Sequence, residues 1–170
     1  MPLLDGDPAN PFDVWTRVLT SDQWRKDGRL NNGAFSGKSF LQTAAQGRHW
    51  AQEVSGRLLS LVQNLREESE TFCRTFGCEF HGVMFQTVEN LRSDGAGYPK
   101  HGFFPTDVCY TPVSTPARQD QAHADLVTSK VTDESNKEVR DWLQDIIQAV
   151  KPDKLPAVCS MRQSPNFPNN

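Results

Sequence analysis

Cys73, Cys78 and His81 fall within nine residues in the segment CRTFGCEFH. Thiolate and imidazole are the ligands zinc takes in tetrahedral sites, which usually open with two cysteines a few residues apart. A gap of four residues separates the cysteines here, and His101, Cys109 or His123 could close the set. The ordinary alternative for such cysteines is a pair of small buried apolar residues. Thiol chemistry is a second option, with Cys109 as nucleophile, His123 as base and Asp107 or Asp125 orienting the base. None of the cysteines carries a local cysteine-protease signature. The third option is His123 with Asp125 in HADL: on a strand, residues two apart share a face, and a His–Asp pair can bind an anion or move a proton. A hydrogen-bonded pair on the surface is its plain alternative.

These residues need elements to hold them. VWTRVL, Val14 to Leu19, is β-branched and aromatic and predicts a first strand after the turn-rich lead-in at residues 5–11. Ser21 then caps a short helix that stops at Gly28. Trp50, Val54, Leu58, Leu61, Val62 and Leu65 recur at helical spacing and predict one long amphipathic helix over residues 40–70, with Gly56 inside it letting a neighbour approach. Strands are predicted at 82–88 and 123–129. Between them, residues 92–121 form a Gly/Pro-rich loop with a brief strand at DVCY. Ser135 and Glu138 form a capping box for a C-terminal helix over 136–150, ended by Pro152. The fold class expected is α+β: a small, mostly antiparallel sheet packed against one long amphipathic helix and a C-terminal helix, in a single domain over 1–151, with a flexible Pro/Asn-rich tail over 152–170.

Two resemblances attach to these residues. The order of VWTRVL, SDQWRKDG, a turn-rich passage, SFLQT and AAQGRHWAQEV resembles the front half of ADP-ribosyltransferase-like domains. The resemblance implies NAD as ligand, with Arg17 at its ribose or diphosphate and Thr43 on the nicotinamide side. The family's late Glu has no clean owner, because Glu79 and Glu89 lie outside its usual acidic motif. The pattern of Trp15, Arg17, Trp24, Asp27, Gly28, Arg29, Ala34, Phe35, His123, Ala124 and Asp125 is similar to a group of small bacterial proteins and brings no activity with it.

A formal charge of -3 and a pI near 5.8 supply no basic face, so nucleic acid is not expected as a partner. No apolar run is long enough for a membrane span and the start of the chain has no signal-peptide pattern, so a cytoplasmic protein with free thiols is expected. The reading that follows is a non-enzymatic interaction module of a bacterial cytoplasmic system, in which the 92–121 loop and the tail contact another protein, with Phe103 and Phe104 as candidate contact residues whose alternative is to anchor the loop in the core. An NAD-using ADP-ribosyltransferase-like enzyme is the alternative, with His123, Asp125 and Thr43 as catalytic candidates and Arg17 and Thr43 at the cofactor. A small zinc-binding protein is the second. No resident cofactor is expected; NAD and zinc are the two the residues could hold.

Overall fold

Alternation along VWTRVL places Trp15 and Leu19 on one side of β1 (Val14–Leu19) and Val14 and Thr16 on the other, and the sheet is built outward from this strand. The computed structural model describes residues 2–35, 52–92, 106–128 and 133–155. Within them lie β2 (Gln52–Leu58), β3 (Gly82–Thr87), β4 (Thr106–Tyr110), β5 (Val113–Thr115), β6 (Arg118–Asp120), β7 (His123–Thr128) and β8 (Gln148–Val150). Six of them form one antiparallel sheet in the order β4-β7-β2-β1-β3-β8, and β5 and β6 make a separate hairpin. The helices are α1 (Leu65–Phe76), α2 (Val88–Leu91) and α3 (Asp133–Ile146). The fold class is α+β with an antiparallel sheet, as the patterning indicates.

One face of the sheet carries Trp15, Leu19, Val54, Leu58, Met84, Val108, Ala124 and Leu126 into a core closed by Trp142 and Leu143 of α3, by Ile147 and by Ala34 and Phe35 of a 3-10 turn (Asn32–Phe35). The opposite face carries Val14, Val83 and Phe85 against Leu59, Val62, Leu65 and Leu155. The lead-in runs along the outer side of β4, where Ala9 N–H donates to Val108 O and Tyr110 N–H to Asp7 O, covering that sheet edge.

The structure corrects several elements. The long helix expected over 40–70 is not there: residues 36–51 lie outside the described residues, Gln52–Leu58 is β2, and α1 starts only at Leu65. Val54 and Leu58 are four apart, an interval that returns to the same face of a helix and of a strand alike, and pairing with β1 and β7 decides for the strand. Asn64 caps α1 by accepting from Glu67 N–H at 3.1 Å, and Glu68 Oε2 accepts from the Gln63 and Asn64 amides. The expected helix over 21–28 is a bridged turn instead: Asp22 and Asp27 accept from the amides two residues on, and Trp24 pairs with Leu30. The C-terminal helix begins at Asp133 and ends at Ile146, because Gln148–Val150 leaves it to pair with β3. The 92–121 loop contains β4, β5 and β6. At the start of the expected tail, Pro152–Lys154 form a 3-10 turn, Leu155 is buried, and Arg66 donates to the carbonyls of Pro152 and Leu155.

Candidate functional site

A groove of about 670 Å³ lies between the second sheet face, α1 and the β5–β6 hairpin. Its floor is Thr16, Arg17, Val18 and Thr20 from β1 and its end, Ser55 to Arg57 from β2, and His123 from β7. Glu67, Glu68, Thr71, Phe72, Thr75 and Phe76 of α1 form one wall, and Ala117 to Asp120 of the hairpin form the other. This volume is in the range of ordinary ligand sites, roughly 300–1,000 Å³.

Arg57 ties the walls to the floor. Its Nε bonds Asp120 Oδ1 at 3.1 Å on the hairpin and its Nη2 bonds Glu68 Oε1 at 2.9 Å on α1. Arg118 takes the other oxygen of Asp120 at 3.1 Å and lies over the rings of Phe72 and Phe76, 5.3 and 5.9 Å from their centroids. Phe76 remains 54% exposed, so this aromatic wall is open to an incoming group.

Arg17 sits differently. β1 pairs with β3 as far as Leu19↔Gly82, and β2 pairs with β7 as far as Gln52↔Thr128, yet β1 and β2 pair only at Trp15↔Leu58 and Thr16↔Arg57. Leu58 N–H is given to Ala122 and Leu19 O accepts from His81, which turns the backbone groups of Ser55 toward β1 and those of Val18 toward β2. These two would form the next pair, and they do not. Arg17 Nη1 donates instead to Ser55 O at 2.5 Å, so its guanidinium occupies the split. No carboxylate among the described residues lies within ion-pair distance of it. Burial pushes Arg17 below the ordinary guanidinium range while the charge of Asp125, opposite Ser55 on β7, pulls it back up.

His123 and Asp125 share a face, as alternation requires, but they are buried rather than superficial. Thr111 joins them: its Oγ1 donates to Asp125 Oδ2 at 2.8 Å and lies 3.0 Å from His123 Nδ1. The same Nδ1 is 2.7 Å from Thr111 O, which can only accept, so Nδ1 carries the proton and Nε2 is the basic nitrogen of the neutral ring. Nε2 stands 3.8 Å from Asp125 Oδ1.

Burial lowers the pKa of His123, against the raising effects of Asp125 and the Thr111 carbonyl. With the folded value below the unfolded one of about 6.5, the unfolded chain takes up the proton first, and the stability His123 supports is present above pH 6.5. It is lost as the pH falls from there through the folded value. Thermal melts between pH 8 and pH 5 should therefore fall more steeply for the native chain than for His123→Gln, and equal slopes would show that this imidazole is not held neutral.

The remaining sequence candidates fall elsewhere. Cys73 and Cys78 belong to the C-terminal cap of α1: Gly77 has φ 65°, Cys78 N–H donates to Cys73 O at 2.9 Å, and Cys78 Sγ lies 3.6 Å from the same oxygen. Burial, then the hydrogen bond with Cys78, pushes the Cys73 thiol up to about 12, far from a thiolate ligand. His81 Nε2 instead stands 3.3 Å from Glu79 Oε2. Among the described residues no three His, Cys, Asp or Glu side chains are grouped as a metal set. Cys109 is buried and faces Asp125 across β4 and β7. Thr43, His101, Phe103 and Phe104 lie outside the described residues.

Arg17 and His123, singled out in the sequence, thus meet in one groove, while Arg57, Arg118, Phe72 and Phe76 were missed. The available signals were the i, i+4 aromatic pair Phe72–Phe76 and the Arg118-x-Asp120 alternation. Among the described residues, no helix is long and apolar enough to cross a membrane. Compared with known proteins, the chain matches no family model, no curated protein and no solved structure.

Proposed function

We propose that this protein is a non-enzymatic interaction module of a bacterial cytoplasmic system, and that a segment of a partner protein docks in the groove between α1 and the β5–β6 hairpin. One observation carries this reading: Arg57, Glu68, Arg118 and Asp120 of the groove are already satisfied by each other, through Arg57–Glu68, Arg57–Asp120 and Arg118–Asp120, while the aromatic wall is left open. Groups committed to internal ion pairs shape and hold a site; an exposed aromatic surface beside them is what a partner covers.

A photo-crosslinking amino acid at Thr75, on the groove wall, should capture one protein in cells that express the chain, and the same probe at exposed Asp22 should not. Equal capture at both positions, or none, would sink the reading.

A second reading has its own support, since Arg17 and the basic Nε2 of His123 line one concavity, as an NAD-using ADP-ribosyltransferase-like enzyme would need. Release of nicotinamide from NAD by the purified chain, lost in Arg17→Ala, would put this reading first.

A further inference from the structure

The groove is bridged by Arg57 and supplied with a cation at its floor. Arg57 spans from α1 to the hairpin across β2, at the point where β1 and β2 still pair. Past it the β1–β2 pairing stops, and exposed Thr20, Thr75 and Phe76 line the groove.

The floor of the groove offers one cation that stands outside the ion pairs of the walls. Three guanidiniums and three carboxylates line the groove, Arg17, Arg57 and Arg118 against Glu67, Glu68 and Asp120. Arg57 and Arg118 are spent on ion pairs within the walls. Arg17 alone has no carboxylate within ion-pair distance among the described residues, and one of its donors is fixed on Ser55 O. Next to it, the Val18 and Ser55 amides face the split without a ladder pair. A guanidinium beside backbone amides that lie outside the β1–β2 ladder is a receptor for a carboxylate. A dianionic phosphate would face the three carboxylates of the walls and is less well matched.

We propose that the groove captures the C-terminal carboxylate of a partner chain ending in an apolar residue: Arg17 with the Val18 and Ser55 amides receives the carboxylate, and Phe72 and Phe76 receive the last side chain. This rests on the groove being the docking site of a partner protein and names the chemistry of what docks. Burial of an apolar side chain on the aromatic wall supplies affinity, and the cation supplies discrimination, because an uncharged chain end forms no ion pair with it.

The test uses the full chain and fluorescently labelled, acetylated short peptides ending in Leu or Phe, each as the free acid and as the amide. Fluorescence anisotropy should show the free acids bound and the amides weaker by at least about tenfold, which corresponds to about 1.4 kcal/mol. Arg17→Met should erase that difference, and Arg17→Lys should restore part of it. Phe76→Ser, at an exposed position that puts folding at little risk, should weaken the free acids by several-fold and leave the circular dichroism spectrum unchanged.

Equal binding of acid and amide would overturn carboxylate capture. So would 3-phenylpropionate competing as well as the peptides, which would assign the groove to a small organic acid. Failure of every peptide while the Thr75 crosslink persists would overturn this inference alone. Failure of both would overturn the docking reading with it.

Discussion

Gly56→Ala should destabilise the protein by about 3 kcal/mol, at or above the upper end of the usual cost of overpacking. For a chain of this size that corresponds to a fall in Tm of roughly 6–12 °C. A Cβ at this position would stand 2.5 Å from Thr16 O and closer still to the indole of Trp15. Neither can yield cheaply. Thr16 is held in register with Arg57 and Phe85, and the Trp15 ring is fully buried with its Nε1 donating to Ala124 O at 3.2 Å. The ring lies flat across β2 only because Gly56 presents no side chain. The sign of the effect is diagnostic: in an exposed helix interior the same substitution would stabilise by about 1 kcal/mol. Urea titration of the native chain and the variant, followed by tryptophan fluorescence, reads both the size and the sign. A neutral or stabilising result would mean that Gln52–Leu58 is not packed under Trp15 as a strand.

That one glycine shows where the sequence could be read and where it could not. Val14–Leu19, Gly82–Thr87 and His123–Thr128 announce themselves because β-branched and aromatic residues alternate there without a competing helical spacing. β2 did not, because Val54 and Leu58 satisfy both periods and its deciding partners, Trp15 and Ala124, are remote in the chain. β5, β6 and β8 have three residues each, too few to carry a period, and exist through pairing alone. The same ambiguity conceals half of the groove. Placed on a helix, Arg57 reads as a solvated polar residue; placed on β2, it faces His123 and reaches both Glu68 and Asp120. Arg17 and His123 were legible because a cation and an imidazole stand out beside the apolar residues of their strands. What alternation could not show is that Arg17 would fill a gap in the sheet, since a split depends on where two ladders end.

Asp125→Ala should be nearly as damaging as the glycine substitution, at about 3 kcal/mol, for an electrostatic reason. Asp125 is fully buried, accepts the Thr111 hydroxyl at 2.8 Å, and is the negative charge that offsets the burial of Arg17. Removing it strips Thr111 of an acceptor and leaves a guanidinium in the split without its nearby counter-charge. Asp125→Asn separates the two losses, because the amide oxygen still accepts from Thr111 while the charge is gone. Its cost should be smaller, about 1–2 kcal/mol, and should reflect Arg17 alone. A double-mutant cycle with Arg17→Met then measures the coupling across β2: with Arg17 absent, Asp125→Asn should cost clearly less than in the native chain. Additive effects in urea titrations would show that the two charges do not sense one another, and the split would then be held by the Arg17–Ser55 hydrogen bond and packing. Coupling would tie the stability of the sheet to the same guanidinium that faces the groove, so an anion arriving there would replace part of what Asp125 supplies. Peptide free acids should in that case raise the Tm of Asp125→Asn by more than they raise that of the native chain.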